Sequence, residues 1–228
     1  MSITAQVLTS LGILLLGVIA MTPGVWSMHR RAAYWRAQAL TDPLTELPNR
    51  RALTAHLRQR HEDRAPTAIL LLDVDGLKAV NTGYGHGAGD ALLQALAARL
   101  QHLGPVPVDL AARLGGDEFA VVVHTGDPRQ AHRVAEAVHA AVTGTPVSLG
   151  TDLWVDLGLS IGVAVGTAYS HPPLLLHQAD LAMYEAKAAG GGVHLHGPAA
   201  VPTTCVDRRP LVRPRDRHRP AERGGRRW

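Results

Sequence analysis

Residues 7–25 (VLTSLGILLLGVIAMTPGV) are almost continuously apolar, and Arg30 is the first Lys, Arg, Asp or Glu in the chain. A helix rises about 1.5 Å per residue, so roughly 20 such residues cross a hydrocarbon layer of about 30 Å. The pattern predicts one transmembrane helix within residues 1–28. A secretory leader would open on a positively charged stretch, and a buried soluble helix would show a polar face; neither is present. Arg30, Arg31 and Arg36 follow the run and no Lys or Arg precedes it. That asymmetry predicts a single-pass protein of the plasma or cell inner membrane with its C-terminal portion in the cytoplasm. Residues 29–40 suit a short helical connector.

Beyond the connector the pattern changes to that of a globular domain over residues 41–197. The run 68–73 (AILLLD) reads as a buried strand, and 90–103 spaces Leu and Ala at helical intervals. Two short strand-like runs, 109–113 and 119–124, flank Gly115-Gly116 and predict a hairpin. An amphipathic helix follows at 130–142, then a strand at 153–165 with Gly158 and Gly162 inside it. Residues 173–189 read as a helix opened by proline and stopped by Gly190-Gly191-Gly192, with a last short strand at 193–196. The order predicts an α+β fold, a mixed or antiparallel sheet with helices on one side.

Charge qualifies this picture only at the end of the chain. Residues 201–228 hold nine Arg against three acids, so the formal net charge of +4 leaves the first 200 residues at about −2. Residues 198–228 therefore read as a disordered basic tail, which argues against a nucleic-acid partner. The single cysteine, Cys205, builds neither a disulfide nor a thiolate metal site. Lys78, Lys187, Asn49, Asn81 and Phe119 are the only residues of their kinds, which makes their positions informative.

Asp73 and Asp75 end the first strand, where alternate side chains share a face. Asp117 and Glu118 follow the two glycines of the hairpin. If the hairpin pairs beside the first strand, four carboxylates converge. Such a set either raises a pKa or binds a hard cation, and glycine lets backbone approach a phosphate chain closely.

These residues spell Gly115-Gly116-Asp117-Glu118-Phe119, and the chain resembles the GGDEF-domain diguanylate cyclases over residues 41–196. The segments Asp42-Pro-Leu-Thr-Glu-Leu-Pro-Asn-Arg50 and Asp73-Val-Asp-Gly-Leu-Lys78 resemble the family in order and spacing, as do Asn81, Gly85-His86 and Gly89-Asp90. Ser160-Ile-Gly-Val-Ala164 and the stretch from Ala179-Asp180 to Lys187 complete the match. All five scarce residues lie within these segments.

The resemblance implies a ferredoxin-like nucleotidyl-cyclase or polymerase-palm core. It implies condensation of two GTP into cyclic di-GMP and pyrophosphate by two-metal catalysis with Mg²⁺ or Mn²⁺ across a homodimer. Asp73, the Val74 carbonyl and Asp117 would bind metal, and Glu118 would complete that site or assist proton removal. Asn81 and Asp90 would read guanine, with His86 contacting or ordering the nucleotide. Lys78, Lys187 and Arg113 would meet phosphates.

Other roles remain open for some of these residues. Arg113 could pair with an acid, His86 could cap a turn, and Asp90 could be the N-cap of the next helix. Asn49 reads as structural.

Several positions depart from the family pattern. Leu77 stands where Phe is usual, Thr82 where Asp is usual, and Gly190-Gly191-Gly192 where Gly-Arg-Asn is common. The inhibitory motif Arg-x-x-Asp is reduced to Val106-Pro-Val-Asp109, which predicts no strong feedback through that site. The alternative to an active cyclase is a domain of weak or no activity that binds GTP or a partner.

Overall fold

A computed structural model describes residues 39–150 and 153–197. The expected membrane span, most of the connector and the basic tail lie outside the described residues. No helix among the described residues is long and apolar enough to cross a membrane.

Strand β1 (Thr67–Asp75) is buried along all but its last residue. It lies at the centre of a five-stranded sheet. Helices α1 (Arg50–Glu62), α2 (Leu77–Tyr84) and α3 (His86–Gln101) flank it in sequence. A hairpin of β2 (Leu110–Gly115) and β3 (Glu118–Val123) follows, then α4 (Pro128–Thr143). Two short strands, β4 (Val147–Ser148) and β5 (Trp154–Val155), form a separate ladder. Strand β6 (Gly158–Gly166), α5 (Pro172–Ala188) and β7 (Gly192–Leu195) complete the fold.

The main sheet runs β2-β3-β1-β6-β7. β1 is antiparallel to both β3 and β6, β2 is antiparallel to β3, and β7 is parallel to β6. The first four strands with α3 and α4 form the ferredoxin-like split βαβ arrangement.

Alternation along β1 explains why it is buried on both sides. Leu70, Leu72 and Val74 pack with Leu92 and Leu96 of α3 and Val134 and Val138 of α4. Ile69 and Leu71 pack on the opposite face with Leu53 and Leu57 of α1 and with Leu175, Ala179 and Met183 of α5. Each of these large side chains contributes about 1.5–3 kcal/mol on burial.

Helices therefore cover both faces, which corrects the expectation of helices on one side. The fully apolar β1 run fits two covered faces better than one. The other correction concerns residues 153–165, which form two strands in different sheets. Asp75 pairs with Gly158 as the last partner on β1. Beyond that point β6 has no neighbour there, so Trp154–Val155 turns to pair with Val147–Ser148.

Local chemistry sets the helix starts. Asn49 caps α1 by accepting from the backbone N–H groups of Arg51 and Ala52, while its Nδ2 donates to the carbonyls of Ala39 and Thr41. Asp127 caps α4 and is followed by Pro128, a residue suited to a first helical turn. Asp90 is no cap: α3 begins at His86 with Gly85 before it.

Candidate active site

The chemistry-bearing residues gather where β1 ends beside the β2–β3 turn. Gly115 and Gly116 take φ values of +132° and +58°, which L side chains adopt only with strain. The reversal they permit sets Asp73 opposite Glu118 in the β1–β3 register. The Val74 N–H donates to the Asp117 carbonyl at 3.1 Å, fixing the turn to the strand end.

Asp73 is buried, its side chain only 3% exposed, and Lys187 Nζ lies 2.5 Å from its Oδ2. Asp75 is held differently. Ser160 Oγ donates to its two carboxylate oxygens at 2.9 and 3.1 Å. The expected convergence of four carboxylates does not occur. No three Asp, Glu, His or Cys side chains among the described residues are placed to hold a metal ion together. Asp75 has turned to Ser160, and the Lys187 ammonium balances Asp73.

The residues present still suit Mg²⁺. That ion is usually held by one or two carboxylates together with water and substrate phosphates, without a full protein cage. A cationic ammonium already sits on the buried Asp73 carboxylate, where the donor chemistry favours positive charge.

A cavity of about 500 Å³ opens beside the turn, lined by Leu77, Lys78, Asn81, Thr82, His86, Gly116 and Asp117. Three of the expected nucleotide contacts, Lys78, Asn81 and His86, thus meet Asp117 around one space. Asn81 packs against Gly89 so closely that a Cβ there would lie 2.0 Å from Asn81 Oδ1. Asp90, next along α3, is exposed and lies outside the cavity lining, as does Lys187.

Arg113 is engaged away from the cavity. Its guanidinium donates to Asp42 Oδ1 at 2.8 Å and to the Gly116 carbonyl at 2.8 and 3.2 Å. The pairing with an acid is the arrangement observed, so Arg113 braces the signature turn against the opening segment. Burial raises the Asp42 pKa, but hydrogen bonds from Arg113 and Thr45 outweigh it and hold the carboxyl below its ordinary value.

Sequence reasoning missed Arg50, whose Nε donates to the Leu114 carbonyl at 3.3 Å and whose guanidinium lies 3.5 Å from Glu118. Its place in the segment ending Pro-Asn-Arg was the available signal. Ser160, which opens the segment Ser160-Ile-Gly-Val-Ala164, has Asp75 as its partner. At the position of the reduced inhibitory motif, Asp109 pairs with Arg60 at 2.5 Å.

The family model described as diguanylate cyclase, GGDEF domain, matches residues 39–192. The chain belongs to the GGDEF-domain diguanylate cyclase family. It is 40% identical over 162 residues to diguanylate cyclase TpbB of Pseudomonas aeruginosa, covering 68% of this chain and 37% of that protein. It is 32% identical over 171 residues to diguanylate cyclase DgcP of the same organism, covering 72% of this chain and 25% of that protein. The chain thus spans about a quarter to a third of these relatives. The solved GGDEF domain of TpbB superposes with a TM-score of 0.62 at 36% identity, covering 69% of this chain and 94% of that one. A GGDEF domain therefore occupies the same stretch of sequence that forms the sheet and the cavity.

Proposed function

We propose that this GGDEF protein is a diguanylate cyclase that joins two GTP molecules into cyclic di-GMP, each protomer of a homodimer presenting one nucleotide. The observation that carries the reading is the cavity in which Lys78, Asn81 and His86 meet Gly116 and Asp117, the latter next to Glu118, the register partner of Asp73. In this reading Asn81 and Asp90 recognise the guanine edge. Lys78 and Lys187 meet phosphate oxygens as point charges. His86 orders the nucleotide at the start of α3.

Asp73, the Val74 carbonyl and Asp117 would hold Mg²⁺ or Mn²⁺, which when bound supplies Lewis-acid stabilisation of charge at the reacting phosphate. The 3′-hydroxyl of one GTP attacks the α-phosphorus of the other. The new O–P bond forms as the bond to the β-phosphate oxygen breaks, and pyrophosphate leaves. Glu118, opposite Asp73 in the strand register, would help take up the hydroxyl proton. Repetition in the opposite sense closes the ring.

The test is product formation. Purified protein with GTP and Mg²⁺, assayed over a range of protein concentrations, is expected to yield cyclic di-GMP. Asp117→Asn is expected to lower the rate by about a hundredfold or more, as for loss of one electrostatic stabiliser. Equal product from both proteins, or none from either at every concentration, overturns the reading.

Gly191 favours a second reading, GTP binding without efficient turnover. Its φ is +108°, and a Cβ there would lie 3.3 Å from Asp75 Oδ2, so the local backbone suits glycine and offers no guanidinium to a phosphate. Tight GTP binding without product would select it. We also propose that the apolar run at residues 7–25 tethers the protein to the membrane, with the domain on the cytoplasmic side.

A further inference from the structure

We infer that Lys187 is a built-in counter-ion for the metal site, competing with the divalent ion for Asp73 and setting how readily that ion enters. The inference rests on the metal-site reading above and assigns Lys187 a role apart from phosphate contact.

The backbone explains how the lysine reaches its place. Asp73, Leu71 and Ile69 alternate on the face of β1 that meets α5. On β6, Ser160 pairs with Asp73 and Gly162 pairs with Leu71. Helix α5 lies so close to Gly162 that a Cβ there would be 2.1 Å from both the Ala179 carbonyl oxygen and the Met183 nitrogen. From Met183 to Lys187 the helix rises about 6 Å, and from Gly162 to Ser160 the strand advances about 6.6 Å. The two steps match, so a helix seated on Gly162 delivers Lys187 over the Ser160–Asp73 pair.

Charge explains why it stays. A carboxylate as buried as Asp73 is costly without a partner, and removing one member of such a pair leaves an uncompensated charge. The lysine is itself 27% exposed at its side chain, on a flexible stem, so it can leave toward solvent or a phosphate while Asp73 cannot. A divalent ion arriving at Asp73 must therefore work against the ammonium, through both its charge and its hold on Oδ2. The site favours the ion when a nucleotide draws Lys187 away, which couples metal and substrate binding.

The experiment uses the whole 228-residue chain, Mn²⁺ alone as the probe, and no nucleotide. Binding is read from the spin-resonance signal of free Mn²⁺. Lys187→Met is expected to bind Mn²⁺ about tenfold or more tightly than the native chain, and Lys187→Arg, which keeps the charge, to bind like the native chain. Adding Asp73→Asn to Lys187→Met is expected to abolish the gain. Should Lys187→Met unfold without metal, Mn²⁺ is expected to restore a cooperative thermal transition, because it binds only the folded site. Unchanged or weaker Mn²⁺ binding by Lys187→Met, a gain that survives Asp73→Asn, or no rescue of an unfolded variant overturns the inference. Cyclase turnover is not the readout. Tightened Mn²⁺ binding without cyclic di-GMP production would leave this inference standing and remove the cyclase reading, and the reverse result would do the opposite.

Discussion

Asn81 and Gly89 show how a single contact can decide a site. A methyl group at residue 89 would fall 2.0 Å from Asn81 Oδ1, well inside any real contact, so the carboxamide must move to admit it. The φ of Gly89 is not positive, so the need for glycine there comes from the close approach alone. Gly89→Ala is accordingly expected to weaken GTP binding by tenfold or more, on the order of 1.4 kcal/mol, while thermal stability changes far less. Titration of GTP beside a melting curve checks it; unchanged affinity would mean that Asn81 does not read the nucleotide from this position. Arg113 makes the opposite point. It had the chemistry of a phosphate ligand, yet its donors are used on Asp42 and the Gly116 carbonyl, where they hold the turn that presents Asp117.

Helix α5 and strand β6 form the element pair on which the Lys187–Asp73 contact depends. The helix packs on Gly162 through its backbone, and neither Ala179 nor Met183 can yield locally because both are buried. Gly162→Ala is expected to push α5 outward, destabilise the fold by about 1–3 kcal/mol through overpacking, and lengthen the Lys187–Asp73 contact. Denaturant unfolding measures the first effect. A change below about 0.5 kcal/mol would show that the helix does not need this seat. The β2–β3 hairpin has a related dependence, because its two positive-φ glycines set Asp73 opposite Glu118.

At the scale of the whole molecule, a tethered chain would carry out a reaction that needs two protomers. Confinement to a membrane surface raises the effective concentration of chains that must meet. The full chain is expected to partition with membranes and a chain beginning at residue 39 to remain in the soluble fraction. Fractionation and blotting test this, and equal partitioning of the two would remove the tether. The family match covers residues 39–192, so the tether rests on the uncharged run at residues 1–28 and the arginines after it.

Local sequence determined much of the fold and singled out Lys78, Asn81, His86 and Asp117, which line one cavity. The apolar run before Asp73 specified a buried strand, the glycine pair specified a hairpin, and the spaced segments specified the family. Helix α1 was not legible because its face toward the core holds only Leu53 and Leu57, amid arginines that carry no periodic signal. Helix α2 was hidden by its eight-residue length and by glycines at both caps. Tertiary structure decided what no spacing encodes: that Asp75 turns to Ser160, that Arg113 braces Asp42, and that Lys187 sits on Asp73. These partners are 71 to 114 residues apart in the chain. Local pattern reports which face a side chain takes, whereas the partner it meets there depends on strand order and on how closely a helix can approach, as Gly162 allows for α5.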